Sequence, residues 1–333
     1  MLELSIADQS MISAGGNATG ALQETLDMAL AAEQLGYHRF WLTEHHNMPI
    51  IASAAPEILI DRVASVTTRI RVGAGGIMLP NHSSIKVAES FRLLEALHPG
   101  RIDLGLGRAA GTDPYTARLI NPSNDFKEEN FPRKVEELQA FFADAAMTSR
   151  GPVLAVPRIE TIPQQWILTG GANASVAAQW GLGLSLPHFI TPVENTEGVE
   201  RYRREFSPSG SFPQSRVSMG LFVICAESEE KAELLQKAIL MTFTSLVLHG
   251  RFQPIASLEE ARAYQFSEQE RAFAEQQSKK YICGTPDRVR ERILQMADHY
   301  DLDEVIAMMT AHNFQDRLES FRLLAASFSM AEV

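Results

Sequence analysis

Five consecutive residues, Thr43-Glu44-His45-His46-Asn47, put two imidazoles beside a carboxylate. Histidine exchanges protons near neutral pH, and a neighbouring carboxylate can orient or charge it, so the run suits general acid–base chemistry. From the residues alone it serves equally well as a solvated turn. Metal binding is the weaker reading, because adjacent residues of an extended strand face opposite sides. A second run, Gly105-Leu106-Gly107-Arg108-Ala109-Ala110-Gly111, loosely matches the dinucleotide fingerprint G-x-G-x-x-A. That fingerprint should open a helix, whereas Gly111-Thr112-Asp113-Pro114 reads as a loop, so a nicotinamide-binding fold gains little from it. Arg108 is the informative member. A guanidinium on a strand-end loop binds phosphate through paired hydrogen bonds, or else makes a surface ion pair.

Gly170-Gly171-Ala172-Asn173-Ala174-Ser175 leads into a helical pattern. Glycines ahead of a helix N-terminus expose backbone N–H groups and the positive dipole end, which suits an anion; the simpler reading is an N-cap by Asn173. Gly73-Ala74-Gly75-Gly76 permits either a close approach of backbone to a flat ligand or a tight turn. In Cys283-Gly284-Thr285-Pro286-Asp287, Thr285 is expected to cap a helix begun by Pro286, and Cys283 to be a buried, inert thiol.

Eight short apolar runs must position these groups: 2–7, 40–43, 70–77, 101–107, 166–169, 182–186, 217–224 and 304–308. Helical patterns separate most of them, among them 19–35, 56–67, 83–97, 131–142, 175–180, 194–206, 229–248 and 314–328. Such alternation predicts a parallel sheet, and eight units predict an α/β fold of the closed (β/α)8 TIM-barrel type. The chain reads as one domain, 1–333, with insertions after the fourth and seventh strands at 111–130 and 250–280. Both follow strand ends, where a barrel keeps its working loops.

A net charge of −11 argues against nucleic-acid and anionic-membrane partners. The two cysteines, Cys225 and Cys283, make no disulfide framework and suit a reducing compartment. The opening MLELSIADQS lacks a basic region and a long apolar core, and no stretch reaches the roughly 18 apolar residues of a spanning helix, so a cytoplasmic protein is expected.

The runs GYHRFWLTEHHNMPIIASAAPEILI (36–60), RIRVGAGGIMLPNHSSIKVAES (69–90), LHPGRIDLGLGRAAGTD (97–113) and YICGTPDRVRERI (281–293) resemble the bacterial-luciferase-like FMN-dependent monooxygenases. The resemblance covers essentially the whole chain, densest from 36 to 113 and thinner at 120–165 and 250–280. It implies FMN at the C-terminal ends of the barrel strands, with a non-prolyl cis peptide, here Gly75-Gly76, beneath the ring. Arg108 matches the arginine that binds the phosphate, and Gly170, Gly171, Ala172, Asn173 and Ser175 match the loop that holds it through backbone amides. His45 matches the catalytic histidine and Glu44 the glutamate near the ring. Gly107 stands where a luciferase subunit carries a cysteine near the flavin, a departure that argues against light emission. The implied chemistry takes reduced FMN from a separate flavin reductase and uses O2 to oxygenate a small organic substrate. A homodimer is implied, and the 250–280 segment is expected to close over the site. Two alternatives stand beside it: a deazaflavin-dependent oxidoreductase on the same barrel, and a non-catalytic flavin-binding protein, against which the Glu44–His45 pair argues. Trp41, Met78 and Phe189 are apolar candidates for the substrate pocket and serve equally as core.

Overall fold

Each apolar run becomes a parallel strand: β1 (Glu3–Asp8), β2 (Arg39–Leu42), β3 (Arg71–Met78), β4 (Ile102–Gly107), β5 (Gln164–Leu168), β6 (Gly183–Leu186), β7 (Val217–Cys225) and β8 (Glu304–Met308). The computed structural model describes residues 2–124 and 126–330. Strands adjacent in sequence pair from β1 through β7, and β8 closes the ring by pairing with both β7 and β1. The barrel expectation therefore holds. A short strand that the sequence reading did not assign, Tyr281–Gly284, pairs with the C-terminal half of β7.

Local chemistry explains the helix limits. Asn17 caps Ala18–Gln34 by accepting from Gly20 N, and Ser228 caps Glu229–His249 by accepting from Lys231 N. Gly250, at φ 65°, ends the latter in the left-handed conformation that costs other residues most. Both insertions hold more structure than expected. The segment read as a polar loop contains the helix Pro114–Ile120, whose first amides (Tyr115 N and Thr116 N) donate to the Asp113 carboxylate. The segment 250–280 contains two helices, Leu258–Ala263 and Glu268–Ser278, each opened by a serine–glutamate capping box.

Alternation along each strand divides two cores. Outward residues such as Leu4, Ile6, Phe40, Leu42, Val72 and Leu104 join the helices in one large cluster. Ala7, Trp41, Trp166, Ile306 and Met308 fill the barrel itself, with Phe212. The two indoles meet edge to face at 5.7 Å. Glycines make room for them: a Cβ on Gly75 would lie 2.5 Å from Trp41 Cε3, and one on Gly183 2.3 Å from Trp166 Cε3.

Toward the N-terminal ends of the strands the interior turns ionic. Arg39 donates from Nε to Glu304 Oε1 and from Nη1 to Asp103 Oδ2, both at 2.6 Å. Arg71 Nη2 donates to the other Asp103 oxygen at 2.6 Å, Trp41 Nε1 donates to Asp103 at 3.1 Å, and Ser5 donates to Glu304. Burial opposes the charge on Arg39, but Asp103 and Glu304 outweigh it and raise the guanidinium pKa. This floor ties five strands (β1, β2, β3, β4 and β8) together beneath the rim where the loops gather. Among the described residues, no helix is long and apolar enough to cross a membrane.

Candidate active site

At the end of β2 the chain turns back on itself. Ser53 Oγ donates to Thr43 O at 2.7 Å and His45 N donates to Ser53 O at 3.2 Å. His46 N donates to Gly111 O at 3.2 Å, which ties this turn to the loop after β4. Gly111 has φ 65°, and a Cβ there would lie 2.7 Å from Glu44 O, so no side chain fits the joint.

Glu44 is 1 % exposed and gives both carboxylate oxygens to neighbours. Oε2 accepts from Met78 N at 2.7 Å; Oε1 accepts from Asn81 Nδ2 at 2.9 Å and lies 2.9 Å from both His46 Nε2 and His82 Nε2. Burial pushes the carboxyl pKa up, but the hydrogen bonds from His46 and His82 outweigh it and hold the group at about 2. On His82, burial favours the neutral ring, and Glu44 overcomes it and raises the pKa. Glu44 is thus an ionised anchor for the end of β3.

His45 faces away from this cluster. Its Nε2 lies 3.2 Å from Gln9 Nε2, at the end of β1. Burial lowers its pKa below the usual histidine value, partly offset by the Gly111 carbonyl and Glu44. A lowered pKa favours the neutral imidazole, the form able to accept a proton. The two adjacent histidines therefore have different partners, Gln9 for His45 and Glu44 for His46.

The Gly75–Gly76 peptide is cis. A Cβ on Gly76 would lie 2.6 Å from Gly105 O, so both glycines are required by space: Trp41 crowds the first and the β4 backbone the second. The place where Gly107 lacks a side chain is covered by Met78, whose Cε would sit 2.5 Å from a Cβ there.

Gly107 pairs with Leu168, so the loops beginning at Arg108 and Thr169 leave adjacent strands at the same rim. Arg108 Nη1 is paired with the Glu128 carboxylate on the same insertion. Of the two readings open in the sequence, the structure shows the surface ion pair, with the guanidinium at the rim. Gly170, Gly171 (φ 118°), Ala172 and Asn173 bring the chain into the helix Ala174–Trp180, and no Asn173 side-chain cap forms. The Ser175 hydroxyl donates to Glu205 at 2.8 Å, which leaves its backbone amide as its contribution to the loop. Thr43 Oγ1 and Asn81 Oδ1 are buried near this rim without a hydrogen-bond partner, so the site retains unused polar capacity of the kind a polar ring ligand would engage. These features fit a flat, phosphate-bearing cofactor.

Beside His45 lies a cavity of about 70 Å3, lined by Gln9, Met11, Ile50, Phe222, Thr242, Phe243, Leu246, Phe252, Gln253, Ile255, Tyr281 and Thr310. The apolar candidates named from sequence lie elsewhere. Trp41 is barrel core, Met78 covers Gly107, and Phe189 packs where a Gly220 Cβ would be. Thr285 takes the N-cap position ahead of Pro286, as expected, but its side chain makes no capping bond; its hydroxyl donates to Glu229 at 3.1 Å. Cys283 is partly buried, and burial pushes its thiol up to about 12, in keeping with an inert role. Sequence reasoning passed over Gln9, Asn81 and His82. Their only signal was position on loops that follow strand ends.

A family model described as luciferase-like monooxygenase matches residues 2–301. The uncharacterized protein YwcH of Bacillus subtilis (strain 168) is 40 % identical over 99 % of this chain and 100 % of its own length. The N-acetyl-S-alkylcysteine monooxygenase of the same organism is 33 % identical over 98 % of each chain. The crystal structure of apo-MsnO8 superposes with a TM-score of 0.88 at 32 % identity, covering 100 % of both chains.

Proposed function

The chain belongs to the luciferase-like monooxygenase family, and on that premise we propose that it uses reduced FMN, delivered by a separate flavin reductase, and O2 to oxygenate a small organic substrate. The observation that carries this reading is the convergence of Arg108, the Gly170–Ser175 loop, the cis Gly75–Gly76 pair and His45 on one rim. The reduced flavin, when bound, supplies the electrons that activate oxygen. Arg108 and the first-turn amides of Ala174–Trp180 hold its phosphate. The side-chain-free Gly75–Gly76 surface accepts its ring, with Glu44 fixing the end of β3 through Met78 N. His45 takes or returns the proton at Nε2, and the 250–257 segment excludes water. That one relative is named N-acetyl-S-alkylcysteine monooxygenase supports oxygen insertion over hydride transfer.

The reading is tested by anaerobic titration with FMNH2 followed by oxygen-uptake assays against a panel of small substrates. Micromolar binding and substrate-dependent uptake are expected. Tight binding of a reduced deazaflavin with no affinity for either redox state of FMN would overturn it.

Two further outcomes follow from Arg108. Arg108→Ala removes a charge-assisted contact worth on the order of 1.5–3 kcal/mol, so FMN affinity should fall about 10- to 100-fold. The phosphate must also displace Glu128 from the guanidinium. Glu128→Gln removes that competitor, and since an exposed pair is worth about 0–1 kcal/mol, FMN should bind up to roughly fivefold more tightly. Fluorescence quenching on titration reads both.

We also propose a cytoplasmic homodimer. Support comes from Ile58, Leu93 and Leu97, exposed on the adjoining helices Pro56–Val66 and Ser84–Leu97, and from two unpaired cysteines. Light scattering should give a dimer for the native chain and a monomer for Leu93→Glu; a monomeric native chain would end this proposal.

A further inference from the structure

Gln9 touches two features at once. Its side chain lines the cavity beside the rim, and its Nε2 lies 3.2 Å from His45 Nε2. The cavity wall is mostly apolar and aromatic: the rings of Phe222 and Tyr281 stack at 4.7 Å and 10°, with Phe243, Phe252 and Leu246 completing the lining. Its polar groups are two amides, two threonine hydroxyls and the Tyr281 phenol, and no charged side chain lines it. The roof is pinned by hydrogen bonds. Ala256 N donates to Thr242 Oγ1 at 3.2 Å, Thr242 Oγ1 donates to Pro254 O at 3.3 Å, and His312 Nδ1 lies 2.8 Å from Ile255 O.

Resting on the flavin reading above, we infer that this cavity receives the substrate as an uncharged molecule with a short apolar arm, and that Gln9 is the positioning residue linking that occupant to His45. The charge argument is direct. An ionised group entering a pocket without a counter-ion loses hydration that nothing replaces, a cost of several kcal/mol. A neutral group loses little and gains contact with the aromatic wall. A volume of about 70 Å3 suits a short alkyl chain or the edge of a ring. The link to His45 follows from hydrogen-bond chemistry. An amide N–H donates, so Gln9 faces the lone pair of Nε2 and the ring proton resides on Nδ1. Gln9 thereby favours neutral His45 with its basic nitrogen turned toward the Gln9 amide. An occupant that displaces or draws on the Gln9 amide changes the environment of that nitrogen.

The full-length protein carrying 13C,15N-histidine allows a test by NMR, with 1-butanol and butyrate as probes of equal length and opposite charge state. 1-Butanol should shift the His45 ring resonances saturably, and butyrate should bind at least tenfold more weakly. Phe243→Trp, which fills the cavity, should abolish the 1-butanol response. Gln9→Leu removes the donor and Gln9→Glu adds a carboxylate, so either variant should raise the His45 titration midpoint by half a pH unit or more. A role for Gln9 in packing alone would leave that midpoint in place. Butyrate binding as well as 1-butanol, or an unmoved midpoint in both Gln9 variants, overturns the inference. FMN titrations on the same samples separate the two ideas: absence of FMN binding refutes the flavin reading, whereas FMN binding with an unresponsive His45 refutes this one.

Discussion

His45→Ala should leave FMN affinity within about threefold of the native value and lower substrate turnover by roughly 10²- to 10⁴-fold, the range a positioned acid–base group contributes. The two effects separate because the phosphate is assigned to Arg108 and the Gly170–Ser175 loop, while His45 Nε2 meets Gln9, which lines the cavity. Its lowered pKa adds a second signature. Where the neutral ring is the working form, activity should fall on acidification with a midpoint below the usual histidine value of 6.5. Stopped-flow flavin oxidation and product analysis measure both. Native turnover in the alanine variant would remove His45 from the mechanism.

Glu44→Leu should cost about 3–5 kcal/mol of stability, because it leaves the Asn81 and Met78 amide donors and the His82 ring without their buried acceptor. At a few degrees per kcal/mol, the melting temperature should drop by about 10 °C. The pH dependence follows from the two partners. The Glu44 pKa is depressed from 4.5 to about 2, so its stabilisation is full above 4.5 and is lost as pH falls toward 2. The His82 pKa is raised from 6.5, so its share is full below 6.5 and is lost as pH climbs through the raised value. The pair therefore stabilises most between about pH 4.5 and 6.5. Glu44→Gln should flatten both slopes, the acid one below pH 4.5 and the alkaline one above 6.5, in urea titrations. An unchanged acid limb would show that the carboxylate is not the anchor the geometry makes it.

The barrel was legible because its strands are short apolar runs separated by helices with clear caps, and that pattern is local. The rim position of the loops at Arg108 and Gly170–Ser175 was legible because both follow the ends of adjacent strands. The contacts that give the histidines their roles were not. Gln9 meets His45 across 36 residues and His82 meets Glu44 across 38, and no spacing rule links such positions before the strands are closed into a ring. The cavity was missed for a related reason. Phe222, Phe243 and Tyr281 come from β7, a long helix and an unassigned strand, where each reads as ordinary core. The seven-residue helix Pro114–Ile120 is too short to show a period, and only its Asp113 cap marks it.

The charged floor of the barrel sets limits on how such a molecule can change over generations. Arg39 answers to acids on two different strands, and Asp103 answers to two arginines, so exchanging any one of them strands a charge where water cannot reach. Drift there must proceed in coordinated sets, through intermediates that fold poorly. At the opposite end only the Glu44 cluster is bound in that way; pairs such as Arg108–Glu128 are exposed and tolerate single changes. A lineage with this architecture can retool the outer rim residue by residue while inheriting its base as a block.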